Sequence, residues 1–189
     1  MKRIILASAS PRRKELLSQV GVVFEVIPSM EEEICKEKEP AKLVELLARQ
    51  KAESVAAGVT GEYIVIGSDT VVTKDGEVLG KPSDKEEAFR MLYSLQGATH
   101  QVYSGVALVS CQNGEKEIRS FSVMTGVEVL PMEKQQIEGY IATGDCMDKA
   151  GAYGIQGCFA EYIKGIHGDY YNVVGLPLSR LMQELRRLL

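Results

Sequence analysis

The chain has 189 residues, of which 45% are hydrophobic and 25% charged, and its formal net charge is −4. This size and composition are typical of one soluble globular domain, so we expect residues 1–189 to form a single domain with two lobes. The acidic balance, without a lysine-rich tail, argues against general nucleic-acid binding and against binding to a membrane surface. The apolar run at the N-terminus is too short for a signal peptide or a membrane span, so a cytoplasmic location is expected. The four cysteines have no C-x-x-C spacing, which argues against a zinc site or a disulfide framework.

Two arginines after a short apolar run are the first informative feature of the chain. Arg3–Ala7 is predicted as a buried strand and residues 14–20 as the helix that follows, with Ser10 as its N-cap and Pro11 at its first position. Arg12 and Arg13 then lie at the positive end of the helix dipole, which is unfavourable for cations unless an anion binds there. Together with unpaired backbone N–H groups they would form a phosphate site. A capped surface helix with solvated arginines is an equally good interpretation.

Further along the chain, predicted helices and strands alternate. Helices are predicted over residues 40–57, 83–95, 133–142 and 178–189. Strands are predicted over residues 22–27, 63–66, 70–73, 77–79, 101–110, 118–129 and 158–163. Hairpin turns are predicted at Asp75-Gly76 and Asn113-Gly114. This order predicts an α/β fold in which helices flank a mixed sheet.

The segment Gly67-Ser68-Asp69-Thr70 follows the most apolar predicted strand, residues 63–66. Ligands of open α/β sheets bind at the carboxyl ends of strands, where a carboxylate can hold Mg²⁺ or accept a proton from water. One glutamate of Glu31–Glu33 would complete a cation site with Asp69. The alternatives are a turn-forming role for Asp69 and a solvated acidic turn for the glutamates.

Two lysines and a glycine-rich segment complete the set of candidate residues. Lys51 lies beside the apolar face of the helix predicted over residues 40–57, and Lys81 lies in the restricted loop Gly80-Lys81-Pro82. Considered singly, each lysine is most simply a solvated surface charge. Residues 147–157 include three glycines at three-residue spacing, which allow a backbone to approach a ligand closely. The segment has neither a P-loop sequence nor a dinucleotide-binding fingerprint.

Taken together, these segments resemble the Maf family, the septum-formation-inhibitor-like nucleotide pyrophosphatases. The matching segments occur in family order over nearly the whole chain: Ser8–Arg13 with Leu16-Leu17, Glu32, Gln50–Ala52, Gly67–Thr70, Gly80–Pro82, Asp148–Gly157 and Val174–Pro177.

The resemblance implies an elongated mixed sheet with helices around it, two lobes and a central cleft, similar to the inosine triphosphate pyrophosphatases. It also implies hydrolysis of a nucleoside triphosphate to the monophosphate and pyrophosphate with a divalent cation, Mg²⁺ or Mn²⁺. Asp69 would be the catalytic residue, and Glu32 and Asp69 would hold the metal. The residues implied to bind the triphosphate are Ser8, Arg12, Arg13, Lys51 and Lys81. For Lys149 two roles are open, a contact to the phosphates or the base and a loop cation bonded to carbonyl groups.

Three of the residues that match the family indicate which nucleobase the substrate carries. Arg12, Thr70 and Gln156 match the branch of the family that acts on dTTP and UTP, whereas the branch acting on 7-methyl-GTP has a bulky aromatic residue in place of Arg12. A glutamine amide offers one donor and one acceptor, which suits the imide edge of uracil or thymine. Modified pyrimidine nucleotides are a further candidate substrate class, because pockets discriminate weakly against one methyl group.

A different class of function is also open. The family takes its name from septum formation, so the alternative is a non-catalytic nucleotide-binding regulator of cell division. Asp69 and Glu32 beside basic residues favour an enzyme of nucleotide house-cleaning, because sensing a nucleotide requires no water-activating acid. Homodimers are common in the resembling family, so a homodimer is a further expectation.

Overall fold

In the computed structural model, which describes residues 2–30 and 35–189, the chain has a mixed α/β fold. The strands are β1 (Arg3–Leu6), β2 (Glu25–Val26), β3 (Tyr63–Lys74), β4 (Glu77–Leu79), β5 (Thr99–Gln112), β6 (Glu115–Val129) and β7 (Ile163–His167). The α-helices are α1 (Pro11–Gln19), α2 (Pro40–Ala56), α3 (Lys85–Leu95), α4 (Lys134–Ala142), α5 (Tyr170–Val174) and α6 (Leu178–Leu188). Two short 3-10 helices cover Ala150–Ala152 and Cys158–Tyr162. No helix in this described part of the chain is long and apolar enough to cross a membrane.

The strands form one seven-stranded sheet in the order β2-β1-β3-β5-β6-β7, with β4 paired to β3. Strand β1 is parallel to β2 and to β3, whereas the β3/β4 and β6/β7 pairs are antiparallel. The predicted fold class, a mixed sheet with flanking helices, is therefore confirmed.

Strand β3 differs from the sequence prediction. Residues 63–66 and 70–73, predicted as two strands, belong to one strand of 12 residues, and Gly67–Thr70 lies inside it rather than at its carboxyl end. The strand that does end here is β1, whose last residue Leu6 pairs with Ile66. Asp69 therefore lies beside the carboxyl end of β1, the parallel neighbour of β3. The expectation that ligands bind at the carboxyl ends of strands thus applies to β1 and not to β3.

Three other local predictions are corrected. Residues 158–162, predicted as strand, form a 3-10 helix that buries Phe159, and the strand follows at Ile163. Strand β2 has only two residues, both exposed, where residues 22–27 were predicted. Helix α3 starts at Lys85 rather than at residue 83, because Asp84 is its N-cap and accepts the hydrogen bond from the Glu87 backbone N–H.

The chain forms two compact units. Unit 1 contains the described residues of Met1–Asp69, with Ser104–Val123 and Gly175–Leu189. Its core packs Ala48 and Ala52 of α2 against sheet residues that include Ile5, Val65 and Ala107. Unit 2 contains Thr70–Tyr103 and Met124–Val174. Its core is richer in aromatic residues and includes Leu92, Val127, Tyr140, Tyr153 and Phe159.

Candidate active site

The loop between β1 and α1, in unit 1, is folded around the hydroxyl group of Ser8. Ser8 Oγ accepts hydrogen bonds from the Ser10 backbone N–H and from Arg13 Nη1, each at 3.2 Å. Arg13 Nε donates to the Gly175 carbonyl at 2.9 Å, and Ser68 Oγ donates to the same carbonyl at 3.2 Å. The structure thus brings Ser8 and Arg13 together, and it commits at least two N–H donors of Arg13 to the protein itself.

The first turn of α1 has an electropositive character. Ser10 is the N-cap residue and Pro11 the first helical residue, as predicted, although the Ser10 side chain caps no N–H group of the described residues. Arg12 and Arg13 follow, both half-buried, and the turn contains no acidic residue. The backbone N–H groups of a first helical turn and two guanidinium groups at its positive end favour the binding of an anion such as phosphate.

Lys51 and Asp69 meet because α2 packs unusually close to β3. A Cβ atom at Gly67 would lie 2.1 Å from the Ala48 carbonyl oxygen and 2.9 Å from the Ala52 backbone nitrogen, so only glycine allows this approach. Asp69 is two residues further along β3 and so projects from the same face of the sheet. Lys51, between the two alanines on α2, then places its Nζ 2.5 Å from Asp69 Oδ1.

The Lys51–Asp69 ion pair is largely shielded from solvent. The side chains are 16% and 11% exposed, respectively. A carboxylate in such a place costs several kcal/mol of desolvation, which the lysine charge offsets only in good geometry. The chemistry available to Asp69 is that of a carboxylate held in one orientation: it can accept a proton or ligate a hard cation.

The residues implied to hold a metal are only partly within the described structure. Glu32 lies outside the described residues. Among residues 2–30 and 35–189, no group of three or more His, Cys, Asp and Glu side chains is arranged to hold a metal ion. A single carboxylate still fits Mg²⁺, because this ion typically takes one or two protein carboxylates and completes its octahedron with water and substrate phosphates.

In unit 2, two predicted segments lie together. The Gly151 backbone N–H donates to the Gly80 carbonyl at 3.0 Å, which ties the loop carrying Lys81 to the glycine-rich segment. Gly151 has φ +68°, and a Cβ atom there would lie 2.9 Å from a methyl group of Val72. Lys81 itself is exposed. Thr70, also in unit 2, is half-buried in β3 immediately after Asp69.

Lys149 and Gln156 have different surroundings in the same segment. Lys149 Nζ donates to the Asp145 carbonyl at 2.6 Å, to Asp145 Oδ1 at 2.9 Å and to Asp148 Oδ1 at 2.7 Å. Gln156 is exposed in a turn that a hydrogen bond from the Gly157 N–H to the Gly154 carbonyl closes at 3.2 Å.

Several residues that organise these segments are not among the predicted site residues. His100, fully buried, lies with Nε2 2.7 Å from the Tyr153 hydroxyl, and burial together with the charge of Lys74 lowers the pKa of His100 from 6.5 to about 4. No feature of the sequence indicates this contact. The partnership of Asp145 with Lys149 had a signal, since the two residues are four positions apart.

Comparisons with known proteins cover the whole chain. The family model of the Maf-like proteins matches residues 3–188. A dTTP/UTP pyrophosphatase of Agathobacter rectalis is 52% identical, over 100% of this chain and 98% of that protein. A dTTP/UTP pyrophosphatase of Symbiobacterium thermophilum is 52% identical, over 98% of this chain and 93% of that protein.

A solved structure of a nucleoside-triphosphatase, a dITP/XTP pyrophosphatase of Mycobacterium abscessus, aligns with 99% of this chain at 16% identity and a TM-score of 0.43, a likeness too low to support an argument. The full-length family match and the high identity to these relatives show that the chain belongs to the family of Maf-like proteins.

Proposed function

We propose that this chain hydrolyses dTTP and UTP to the nucleoside monophosphate and pyrophosphate. The observation that carries the proposal is the shielded Lys51–Asp69 pair, which holds a carboxylate in one orientation within a unit that also presents two arginines at a helix N-terminus. Relatives at 52% identity over the whole chain are named dTTP/UTP pyrophosphatases, which supports the choice of substrates. We place the reaction in the cytoplasm, as a house-cleaning step on normal and modified pyrimidine triphosphates.

Asp69 serves as the general base of the reaction. Its carboxylate accepts a proton from water as the water oxygen bonds to the α-phosphorus, while the bond from that phosphorus to the α–β bridging oxygen breaks. The bridging oxygen and its electron pair leave with pyrophosphate. Lys51, held 2.5 Å from the carboxylate, keeps Asp69 oriented between turnovers.

The cationic residues bind the triphosphate. Arg12 and the first turn of α1 donate to phosphate oxygens, and Arg13 supports this turn through Ser8 and the Gly175 carbonyl. Lys81 offsets the charge that develops on the leaving pyrophosphate. A divalent cation supplies polarisation of phosphate oxygens and a more acidic water, and Asp69, together with Glu32, would hold it.

Selectivity for the substrate is associated with three residues, of which Gln156 is assigned the contact to the base. Arg12, Thr70 and Gln156 form the set associated with dTTP and UTP. The exposed amide of Gln156 pairs one donor and one acceptor with the imide edge of the pyrimidine. Guanine and adenine present other patterns at their hydrogen-bonding edges and leave one of these amide groups unpaired, which lowers their binding.

The test is release of pyrophosphate from a panel of eight nucleoside triphosphates, with Mg²⁺ and with a chelator. We expect dTTP and UTP to be the preferred substrates and the chelator to abolish release. Asp69→Asn removes the proton acceptor but keeps the shape of the side chain, so it should lower kcat by about 100-fold or more.

The matched control is Asp75→Asn, the same substitution at a turn where the side chain is 82% exposed and where asparagine tolerates the φ of +51°. It should retain the activity of the unsubstituted chain. Failure to release pyrophosphate from dTTP and UTP would contradict the proposed function. Near-normal turnover of Asp69→Asn would remove only Asp69 from the mechanism.

A further inference from the structure

We propose that Asp145 and Lys149 are positioning residues for base recognition: their ion pair holds the turn Gly154–Gly157 and so fixes Gln156 for the pyrimidine. The inference rests on the proposed function, since it assigns how the selectivity of that same site is built. Of the two roles left open for Lys149, the proposal takes the loop cation that supports the turn rather than the ligand of the substrate.

The ammonium group of Lys149 has no donor left for a phosphate. An ammonium group has three N–H donors, and those of Lys149 are directed at the Asp145 carbonyl, Asp145 Oδ1 and Asp148 Oδ1, at 2.6, 2.9 and 2.7 Å. The side chain is only 12% exposed. A contact to a phosphate oxygen would require Lys149 to give up one of these short bonds in a shielded place.

The turn that carries Gln156 rests directly on this ion pair. A Cβ atom at Gly154 would lie 2.6 Å from Lys149 Cε, and one at Gly157 would lie 2.5 Å from Asp145 Oδ2. The two glycines on either side of Ile155 and Gln156 are therefore in contact with the lysine stem and with the carboxylate. No larger residue at either position leaves this contact unchanged.

Tyr140 links the same carboxylate to the turn by hydrogen bonds. Its hydroxyl donates to Asp145 Oδ2 at 3.1 Å and accepts from the Gly154 backbone N–H at 3.4 Å. Burial and the charge of Asp145 raise the pKa of Tyr140, so the hydroxyl keeps the proton that it donates. Asp145 thus supports one end of the turn through Tyr140 and the other end by direct contact at Gly157.

The residues on both sides of the turn are anchored in the core of unit 2. Tyr153 and Phe159 are buried, with ring centroids 4.8 Å apart, and Phe159 also packs on Tyr140 at 5.0 Å. Between these two aromatic residues Ile155 also packs against the core, whereas Gln156 is exposed and the glycines beside this dipeptide lie against the Asp145–Lys149 pair. Loss of the pair should therefore loosen Gln156 while the fold remains.

The experiment compares Asp145→Asn and Lys149→Met with the unsubstituted chain. Gln156 binds the base equally in the ground state and the transition state, so a misplaced Gln156 should raise KM for UTP by about tenfold with little change in kcat. The ratio of kcat/KM for UTP to that for GTP should fall in both variants. The double variant should be no worse than either single one, because both substitutions remove the same support.

Two further variants separate positioning from a general loss of structure. Gly157→Ala leaves both charges in place but puts a methyl group against Asp145 Oδ2, and it should produce the same loss of selectivity. Glu128→Gln breaks the Lys164–Glu128 ion pair of unit 2, which is 2.7 Å long and touches neither glycine, and it should leave KM and selectivity unchanged.

A measurement without substrate keeps the inference independent of the proposed function. Amide hydrogen exchange over residues 153–158 should become faster in Asp145→Asn and Lys149→Met, and stay unchanged in Glu128→Gln. Unchanged exchange in the first two variants would overturn the inference, as would a kcat that falls equally for every nucleotide with KM and selectivity intact, the pattern of a phosphate ligand. Absence of dTTP and UTP hydrolysis by the unsubstituted chain would instead overturn the proposed function.

Discussion

At the scale of single residues, the Lys51–Asp69 pair is the most consequential contact of unit 1. Both side chains are mostly shielded, and their charged atoms are 2.5 Å apart. In such a pair neither charge is well solvated, so each stabilises mainly by offsetting the burial of the other. Removal of one partner therefore costs more than the pair contributes, because an uncompensated charge remains.

Lys51→Met tests this reasoning. The methionine fills the space of the lysine stem but leaves the Asp69 carboxylate without its counter-charge, so the free energy of unfolding should fall by about 2 kcal/mol. Pyrophosphate release should fall as well, because the carboxylate loses its fixed orientation. Urea unfolding and the release assay measure the two effects.

Arg49→Met is the control on the same helix. It breaks the Arg49–Glu53 pair, whose side chains are 49% and 41% exposed, so the change in stability should stay below about 0.5 kcal/mol. Equal losses in the two variants would mean that the shielding of Lys51 and Asp69 has no energetic weight.

At the scale of elements, the contact of α2 with β3 sets the geometry of that pair. Gly67→Ala should be costly, since its Cβ atom would lie 2.1 Å from the backbone oxygen of Ala48, which cannot move without shifting the helix. We expect a loss of about 3 kcal/mol in the free energy of unfolding. Activity should fall too, as α2 carries Lys51 away from Asp69.

Gly139→Ala is the same substitution at a site where we expect the free energy of unfolding to rise rather than fall. Gly139 is exposed inside α4, and a Cβ atom there would meet nothing within 4 Å. Alanine should stabilise the protein by about 0.5–1 kcal/mol through its helix propensity. Thermal unfolding of both variants checks the pair of predictions, and a neutral Gly67→Ala would show that α2 yields to the extra methyl group.

Helix α2 illustrates what the sequence could predict. Its bounds, Pro40–Ala56, are within a residue of the prediction, because apolar residues at helical spacing mark the buried face and Gly58 follows the end. Of two neighbouring apolar residues in this helix, Val44 is buried and Leu43 only half-buried. The helical spacing of apolar residues predicts which face of α2 is buried. The direction of the neighbouring sheet decides which side chains at the edge of that face are covered.

Strand β3 and the site show where prediction from sequence stops. Gly67-Ser68-Asp69-Thr70 has the composition of a turn, yet it continues as strand because both its close helix neighbour and its sheet partners come from distant parts of the chain. Asp69 was a candidate cation ligand because it follows an apolar run, whereas Lys51 was assigned to the site through the resemblance to the Maf family, and their ion pair was not predicted. The acceptor that joins Arg13 and Ser68 is the backbone carbonyl of Gly175, and a backbone oxygen has no signature in a sequence.

At the scale of the whole molecule, His100 links stability to pH. The buried imidazole has a pKa of about 4 in the folded chain, against 6.5 for an ordinary histidine. As the pH falls below 6.5, the unfolded chain takes up this proton and the folded chain does not, so the free energy of unfolding decreases until about pH 4. The full effect is about 3 kcal/mol, and above pH 7.5 or so this histidine contributes no slope.

His100→Phe isolates that contribution, because it removes the titrating group and keeps an aromatic ring beside Tyr153. Carboxylates with lowered pKa values, such as Glu87, which accepts two hydrogen bonds from Ser83, also destabilise the fold in acid. They act at lower pH, below the ordinary value of 4.5, and they are present in both proteins. The difference in unfolding free energy between the two proteins, measured with urea, should therefore change with pH only between about 6.5 and 4. A difference that does not vary with pH would show that His100 keeps its ordinary pKa despite burial beside Lys74.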